Sequence, residues 1–365
     1  MRALIHRFVA RLNALTARGP LKRMWPVTEA LDEALLGTDK TAKAAPFISG
    51  GMDVKRLMTM VIIALMPATV AGIYFYGWRV LAMILTSYAV GGAVEVTFSV
   101  VRRKPIHEGF LVTGLIFPLI LPPTMPLWMV AVGVFFGTFF GKEVFGGTGR
   151  NVFNPTLVGR LFISLAFPRY FGTMWGKLHW GGAGGLTHWT VDAITQATPL
   201  INFKGSHVVG TDPLSLLLGH APGSVGETFR IGILAGGLFL ILTKAADWRV
   251  PVSYILSTAV AALILHGVLP ERVAPVWFHV LSGGLLFGAF FMANDPVTSP
   301  YTMTGRWIYG ALIGLLTVLI RAFSGLPEGV MFAILLMNAV APLIDMLVVG
   351  SAYKVATTRV RRWAV

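Results

Sequence analysis

The sequence predicts an all-α polytopic membrane protein with about ten transmembrane helices, arranged as two inverted five-helix repeats. Three observations favour this fold class: an apolar composition, continuous apolar runs of membrane-spanning length, and an internal repeat of glycines and prolines. Of the 365 residues, 55% are hydrophobic and 13% are charged, whereas soluble domains carry roughly 25% charged residues. A chain of this composition has too little polar surface to cover itself in water.

The apolar runs are long enough to cross a bilayer as helices. Residues 57–76 and 80–101 are two such runs, and about 20 helical residues span a hydrocarbon core of ~30 Å. The runs are continuously apolar, whereas the strands of a transmembrane β-barrel show alternating segments of roughly ten residues. The sequence therefore favours helical spans.

Ten spans are predicted along the chain. The third and fifth are short for a full crossing, which is typical of tilted or broken helices. The predicted spans are residues 57–77, 80–101, 109–123, 126–141, 155–168, 228–246, 251–269, 276–293, 306–322 and 329–350.

The net charge is +14, and its Lys and Arg residues cluster in the termini and in short loops between spans. This distribution indicates the orientation of the spans rather than a nucleic-acid-binding surface. An even number of spans puts both termini on one side, and loops rich in Lys and Arg face the cytoplasm. The sequence thus predicts a basic cytoplasmic N-terminal arm (1–55), a membrane domain (56–350) and a basic cytoplasmic tail (351–365). The basic segments on that side are the arm, 102–104, 142–150, 244–249, Arg306 and 354–362.

The connection 169–227 lies outside in this topology and is too long to be a simple connector. Its Trp and Phe content argues against disorder.

An internal repeat relates the two halves of the membrane domain. The first copy is Gly109, Leu111, Gly114, Phe117, Pro122, Thr124 and Pro126, and the second is Gly283, Leu285, Gly288, Phe291, Pro296, Thr298 and Pro300. Because five spans separate the copies, the third and eighth helices run in opposite directions, as in many transporters. Binding sites then lie at the repeat interface, near the ends of these helices.

Three carboxylates in or beside predicted spans are candidates for a cation path: Glu95, Asp295 and Asp345. Acids in a membrane are costly and therefore usually functional. Their oxygen atoms suit Na⁺ or protons rather than soft metals. The alternative is that each one is a structural partner for an arginine or a helix end.

The glycine-rich run 141–155 fits neither the dinucleotide-binding nor the P-loop pattern. One interpretation is a tight loop in which Asn154 and Pro155 begin a helix. The other is a site where glycines let the backbone approach a flat ligand, with the amides of Asn151 and Asn154 binding the edge of a flavin or quinone ring.

Several kinds of chemistry are disfavoured. The chain has no Cys, so it holds no disulfide and no thiolate-ligated cluster. The histidines of the outside loop lack metal-site spacing, so no metal site is predicted. Composition alone does not indicate chemistry in the Thr-rich turn 192–198.

The sequence resembles a family of respiratory membrane proteins, the NqrB/RnfD family. It includes the B-type subunits of Na⁺-translocating NADH:quinone oxidoreductases (Nqr) and, more distantly, the RnfD component of the Rnf complex. The likeness runs from Met52 to the C-terminus, and several segments in the same order make it specific. These segments are residues 53–58, 108–113, 142–155, 192–198, 292–297 and 341–345.

The resemblance implies a covalent FMN, joined through its phosphate to Thr198. Asp192 and Ala197 keep the attachment motif, and Gln196 stands where Gly is common. In the family this attachment occurs outside the cytoplasmic membrane, which agrees with the predicted topology. The resemblance also implies a non-covalent riboflavin at Asn151 and Asn154.

The resemblance further implies quinone binding at Gly91 and Gly92, and Na⁺ uptake and transfer by Glu95, Asp295 and Asp345. Gly91, Gly92 and Glu95 lie within about one helical turn, so a quinone site and a cation site can share this part of the second span.

As a whole, the resemblance implies an enzyme subunit in a bacterial inner membrane that passes electrons from FMN through riboflavin to ubiquinone or a related quinone, coupled to Na⁺ export. Partner subunits would supply the NADH, FAD and Fe–S sites, a second outward FMN and further small membrane subunits. The alternatives are an RnfD-type protein in ferredoxin-linked electron transport, a solute or ion transporter without redox chemistry, and a structural scaffold protein.

Overall fold

The computed structural model of the protein describes residues 54–363, except 105, 107–108, 177, 191–196 and 327. Side chains are described over the same residues, except those of 54–55, 172–173, 352 and 354–363. The predicted N-terminal arm therefore lies outside the described residues apart from its last two positions, and so does Asp192.

The first half of the membrane domain contains five helices in the predicted order. They are α1 (Val54–Tyr76), α2 (Arg79–Arg102), α3 (Gly109–Leu119), α4 (Leu127–Thr138), which a π-helical turn continues over Phe139–Glu143, and α5 (Pro155–Ala166). Three shorter helices follow in the long connection, namely α6 (Pro168–Thr173), α7 (Pro199–Ser206) and α8 (Pro213–Leu218).

The second half repeats this order with different lengths. It contains α9 (Arg230–Leu242), α10 (Arg249–Val268), α11 (Val276–Leu281), α12 (Leu285–Phe287) with a π-helical turn over Gly288–Met292, α13 (Met303–Phe323) and α14 (Val330–Trp363). The last helix thus continues through residues that the sequence analysis assigned to a separate tail.

The predicted fold class is confirmed. Five helices, α1, α2, α10, α13 and the first part of α14, are long and apolar enough to cross a membrane, and α3, α5 and α9 are shorter apolar helices. No strand occurs in the residues that the structure describes. The protein is an all-α polytopic membrane protein.

The third member of each half is short or broken, and the two carry the corresponding residues of the internal repeat. Gly109 is the first residue of α3, and its counterpart Gly283, with φ of 64°, lies in the break between α11 and α12. Past these helices, the proline-bounded segments 122–126 and 296–300 are both non-helical. Glycine permits the positive φ that such a break requires.

Two buried arginines stabilise the break between α11 and α12. Arg230 of α9 donates from Nε to the carbonyl of Leu281, and Arg321 of α13 donates to the carbonyls of His279 at 2.6 Å and Ser282 at 3.1 Å. A helix end leaves carbonyl groups without partners, and the membrane interior offers no water to replace them. By binding these carbonyl groups, the arginines offset the cost of burying a broken helix within the membrane domain.

Glycines let the helices of the second half approach closely. A Cβ atom on Gly310 would lie 2.7 Å from the carbonyl oxygen of Val250, and one on Gly314 would lie 2.5 Å from that of Tyr254. The two glycines are four residues apart on α13, which is the spacing of tightly packed membrane helices. This contact fixes α13 against α10.

The long connection packs onto the end of α1 and the start of α2. Trp78 Nε1 donates to the carbonyl of Leu186 at 2.7 Å, and the Tyr76 hydroxyl donates to the carbonyl of Gly223 at 3.1 Å. The described parts of this connection therefore form an ordered cover over one end of the bundle.

Candidate cation and cofactor sites

Glu95 forms an ion pair with Lys142 inside the helix bundle. Lys142 Nζ lies 2.5 Å from Glu95 Oε1, and the two side chains are 3% and 5% exposed. Glu95 projects from α2, and Lys142 belongs to the π-helical turn that extends α4. The sequence pattern predicts that Lys142 begins the basic loop 142–150 between two spans. That interpretation is wrong, because Lys142 is buried.

Lys142 also lines a small cavity between the two halves, which we call the narrow cavity. It has a volume of about 80 Å³. Its polar lining comprises Thr113, Lys142, Thr148, Asn151, Asn154, Thr156, Asn294 and Asp295. Asp295 accepts hydrogen bonds from the backbone of Val297 at 3.3 Å and the hydroxyl of Thr298 at 3.0 Å. The fold thus brings Asp295 to the same cavity as the cation that pairs with Glu95.

Asn154 has the local role that the simpler interpretation predicts. Its side-chain oxygen accepts from the backbone of Thr156 at 3.1 Å, so it caps α5, and Pro155 occupies the first helical position. The Asn151 amide donates to the carbonyl of Phe153 at 3.0 Å. Both asparagines are buried and both line the narrow cavity, so the capping role and the ligand-binding role are compatible.

A larger cavity, the Asn338 cavity, lies on the other side of Asn151 and has a volume of about 700 Å³. It falls in the ~300–1,000 Å³ range of ligand pockets, whereas the narrow cavity does not. Asn338 of α14 is 1% exposed, and with its amide oxygen toward α5 it accepts from the backbone of Asn154 at 3.1 Å. No sequence pattern indicated a role for Asn338.

Asp345 also lines the Asn338 cavity, but its carboxylate binds a helix end. It accepts from the backbone N–H groups of Tyr301 at 2.8 Å and Thr302 at 3.0 Å, and from the Thr302 hydroxyl at 2.5 Å. An acid at a helix N-terminus satisfies backbone donors and interacts favourably with the helix dipole. Asp345 therefore has a structural role at the start of α13.

Gly91 and Gly92 form a contact surface on α2. A Cβ atom on Gly91 would lie 3.2 Å from a methyl group of Val134 on α4, and one on Gly92 would lie 3.7 Å from the ring of Phe110 on α3. Gly91 and Glu95 are four residues apart and both buried, so they share one face of α2. Neither glycine lines the narrow cavity, the Asn338 cavity or the cavity beside Thr198.

Thr198 lies at the N-terminus of α7. Its hydroxyl oxygen accepts from the backbone of Ile201 at 3.3 Å, and Pro199 follows as the first helical residue. Ala197 is half-buried beside it, and the Asn202 amide reaches the Ala197 carbonyl at 3.5 Å. Pro199 has no N–H, and the N–H groups of Ile201 and Asn202 already bond Thr198. Among the described residues, Leu200 thus keeps the free N–H of the first turn, which together with the helix dipole suits a phosphate group.

Thr198 borders a third cavity of about 520 Å³, the Thr198 cavity. Its wall contains a buried ion pair in which Arg160 Nη1 lies 3.8 Å from Glu227 Oε1, with side chains 5% and 3% exposed. Arg160 Nε makes no hydrogen bond within the described part of the chain. A buried donor without a partner is costly, which favours a polar ligand or water in this cavity.

The Thr198 cavity and the narrow cavity lie at opposite ends of α1. Met58 lines the narrow cavity, whereas Tyr76 contacts Gly223, which lines the Thr198 cavity. Eighteen helical residues correspond to roughly 27 Å along the axis. The two groups of predicted cofactor residues are therefore separated by about the thickness of the bilayer core.

The structure brings some predicted residues together and leaves others apart. Asn151, Asn154 and Asp295 share one cavity, and Glu95 reaches it through Lys142. The residues that sequence reasoning missed are Lys142, Arg160, Glu227, Arg230, Arg321 and Asn338. A signal was available for the arginines, because a charged residue inside a predicted span is a functional or structural candidate by default.

Comparison with known proteins identifies relatives over nearly the whole chain, each of them the B subunit of a "Na(+)-translocating NADH-quinone reductase". That of Pseudomonas aeruginosa (strain LESB58) is 35% identical over 385 residues, covering 92% of this chain and 94% of the relative. The protein of the same name from Yersinia pestis is 35% identical over 402 residues, covering 93% and 95%. That from Azotobacter vinelandii (strain DJ / ATCC BAA-1303) is 35% identical and covers 92% and 94%.

The family described as NQR2, RnfD, RnfE matches residues 41–354 of this chain. This range includes all three cavities and every predicted site residue. The chain therefore belongs to the NQR2, RnfD, RnfE family.

Proposed function

We propose that this chain is the B-type membrane subunit of a Na⁺-translocating NADH:quinone reductase, an enzyme complex that couples electron transfer to quinone with Na⁺ export. Three relatives of that name at 35% identity over most of both chains support this proposal. The buried Lys142–Glu95 pair supports a cation path, and the cavities with polar side chains at opposite ends of α1 support sites for two redox cofactors. The resemblance described above supplies the identity of those cofactors.

Thr198 is the proposed attachment point of a covalent FMN. The observation that carries the proposal is the position of its hydroxyl, which lies at a helix N-terminus and borders a cavity of about 520 Å³. The N–H group of Leu200 and the dipole of α7 would hold the ester phosphate, while Arg160 and Glu227 would contact the polar edge of the ring. The bound FMN supplies the electron-transfer chemistry, and the protein supplies position and electrostatics.

Asn151 and Asn154 are the proposed residues for a riboflavin. Their amides fit the hydrogen-bonding edge of a flavin, and the Asn338 cavity of about 700 Å³ beside Asn151 has the necessary volume. The narrow cavity is too small for a ring system of this size. We therefore place the riboflavin toward Asn338, where Asn151 lines the cavity directly and Asn154 contributes through its backbone N–H, which binds the Asn338 amide. Gly91 and Gly92 remain the proposed quinone contacts.

Na⁺ is the transported substrate in this proposal. Glu95 and Asp295 are the acids best placed to bind it, because one pairs with a lysine on a flexible stem and the other lines the adjoining cavity. Asp345 is proposed to act at the entrance of the path while it caps α13.

The proposed setting is a bacterial inner membrane with both termini in the cytoplasm. The partners are the subunits that carry the NADH, FAD and Fe–S sites, a second outward FMN subunit and small membrane subunits. The sequence has no Cys for a cluster and no dinucleotide-binding motif, so another chain must supply electrons from NADH.

In-gel ultraviolet fluorescence of the denatured chain, with mass mapping of the peptide around Thr198, tests the proposal. The native chain from cells that possess the flavin transferase should fluoresce and carry one FMN at Thr198. Thr198→Ala should lose the fluorescence, and Thr211→Ala, in the same connection, should retain it. A bare peptide in the native chain would overturn the FMN proposal and favour a solute transporter. A flavinylated chain from a complex that reduces no quinone would favour the Rnf alternative.

A further inference from the structure

The Lys142–Glu95 pair differs from an ordinary structural ion pair in its number of contacts. Lys142 donates only one hydrogen bond, to Glu95, and among the described residues neither group makes a second ion pair. A lysine ammonium has three donors. The contact with Glu95 balances the charge of both groups, but it uses one of the three ammonium donors and leaves the other two without a hydrogen bond among the described residues.

The neighbouring Arg102–Glu143 pair holds its cation through more contacts. Arg102 contacts Glu143 twice, through a carboxylate oxygen at 2.8 Å and the backbone carbonyl at 2.6 Å. Its guanidinium is a rigid fork, whereas the lysine ammonium is a compact charge on a flexible stem. Lys142 and Glu143 are adjacent in the same π-helical turn, so the two pairs form a matched contrast.

The Lys142 side chain also borders a second position, in the narrow cavity. Lys142 lines the narrow cavity together with Asp295 and Asn151. Gly109 keeps this side open, because a Cβ atom there would lie 3.5 Å from Lys142 Nζ and 3.0 Å from Thr148. π-Helical turns are often found at functional sites. The ammonium thus lies between the carboxylate of Glu95 and a cavity that Asp295 lines.

We propose that Lys142 is a built-in competitor of Na⁺ for Glu95. Na⁺ binds Glu95 only when the ammonium leaves it for the narrow cavity, where Asp295 receives the positive charge. The exchange replaces one cation by another at the same carboxylate, so Glu95 is neutralised in both states. This inference rests on the proposed function, because it concerns Na⁺ binding at a site on the proposed path.

Competition by a tethered cation predicts a lower apparent affinity for Na⁺. If Glu95 is free of Lys142 in about one tenth of the molecules, removal of the ammonium lowers the half-saturating Na⁺ concentration about tenfold. Lys142→Met removes the charge and keeps the length of the side chain. Lys142→Arg supplies a competitor with more contacts and should raise the half-saturating concentration instead.

The test uses the purified complex and two readouts: the Na⁺ dependence of quinone reduction and the rise of the melting temperature with added Na⁺. Both are measured at alkaline pH, where protonation of an unpaired Glu95 competes least. Lys142→Met should shift both curves to lower Na⁺, and Lys142→Arg should shift both to higher Na⁺. The control Lys244→Met, which makes the same change at an exposed lysine, should leave both within about twofold of the native complex.

The outcomes separate the inference from the proposed function. If Lys142→Arg and Lys142→Met assemble but leave both Na⁺ curves in place, Lys142 is a structural partner and the competitor proposal is overturned. If Lys142→Met fails to assemble, the Lys142→Arg shift alone decides between the two. A native complex that shows no Na⁺ dependence would instead overturn the proposed function itself.

Discussion

Gly284 has no room for a side chain beside the Thr198 cavity. A Cβ atom at this position would overlap a carboxylate oxygen of Glu227 and lie 3.0 Å from its Cδ. Gly284→Ala should therefore displace Glu227 and weaken its pairing with Arg160. We expect a loss of roughly 1–3 kcal/mol, the usual cost of overpacking, measured as a lower melting temperature of the purified complex.

A matched control comes from Gly267 on α10. A Cβ atom there meets nothing within 4 Å, and alanine is a better helix former than glycine. Gly267→Ala should leave the melting temperature unchanged or raise it slightly. Equal destabilisation by both substitutions would contradict the close contact with Glu227.

The sequence identifies the candidate carboxylates but not the residues that form ion pairs with them. Glu95 is visible as a lone acid in an apolar run, and the structure confirms that it is buried. Its partner Lys142 is 47 residues away and follows directly on an apolar run, so the pattern indicates the start of a loop. Contacts of this kind depend on how α2 and α4 pack, and one-dimensional patterns carry no such information.

The loop between α9 and α10 is joined to the start of α13 by Asp247. Its carboxylate pairs with Arg249 at 2.9 Å and with Arg306. Burial raises the pKa of Asp247, but the hydrogen bonds from the Arg249 backbone and the Arg306 guanidinium lower it by more. The pKa of Asp247 in the folded protein therefore lies below its usual value. The ionised carboxylate therefore stabilises the folded state.

This pairing predicts a dependence of stability on pH. Because the folded pKa is depressed, the contribution is complete above the unfolded value of about 3.9 and is lost as the pH falls through the folded pKa. Asp247→Asn should lower the melting temperature at neutral pH, by an amount equivalent to about 1–2 kcal/mol. The difference from the native protein should shrink below pH ~3.9. A difference that persists there would contradict the role of the charge.

Helix positions were more predictable than helix breaks. The predicted span 251–269 corresponds to α10, Arg249–Val268, because apolar runs and their charged flanks mark the crossing points directly. The predicted span 276–293 is instead divided into α11, α12 and a π-helical turn. The glycines at 283 and 284 permit such a break, but the arginines that stabilise it belong to α9 and α13, far away in sequence.

The inverted arrangement of the two halves gives the molecule two chemically distinct ends. Gly109 lines the narrow cavity and its repeat counterpart Gly283 lines the Thr198 cavity. Sequence reasoning predicted this relation from the repeat. It did not predict that one cavity is small and the other large, because the residues lining each cavity come from several helices.

The absence of Cys from the sequence makes the predicted orientation measurable. A cysteine introduced at Val208, which is 65% exposed near Thr198, should react with a membrane-impermeant thiol reagent added outside intact cells. A cysteine at Arg150, which is exposed next to Asn151, should react only after the membrane is opened. Mass mapping of this chain identifies the labelled residue, and the reverse pattern would contradict cytoplasmic termini.

The arginine contacts across the broken helix have a consequence for how the protein is made. During synthesis α11 and α12 emerge before α13, so the carbonyl groups of His279 and Ser282 enter the membrane before Arg321 is available to bind them. Unpaired carbonyl groups are costly in a bilayer. The broken segment is therefore stable only once α13 has been inserted, and chains that terminate before Arg321 should be removed by the proteases that survey membrane proteins.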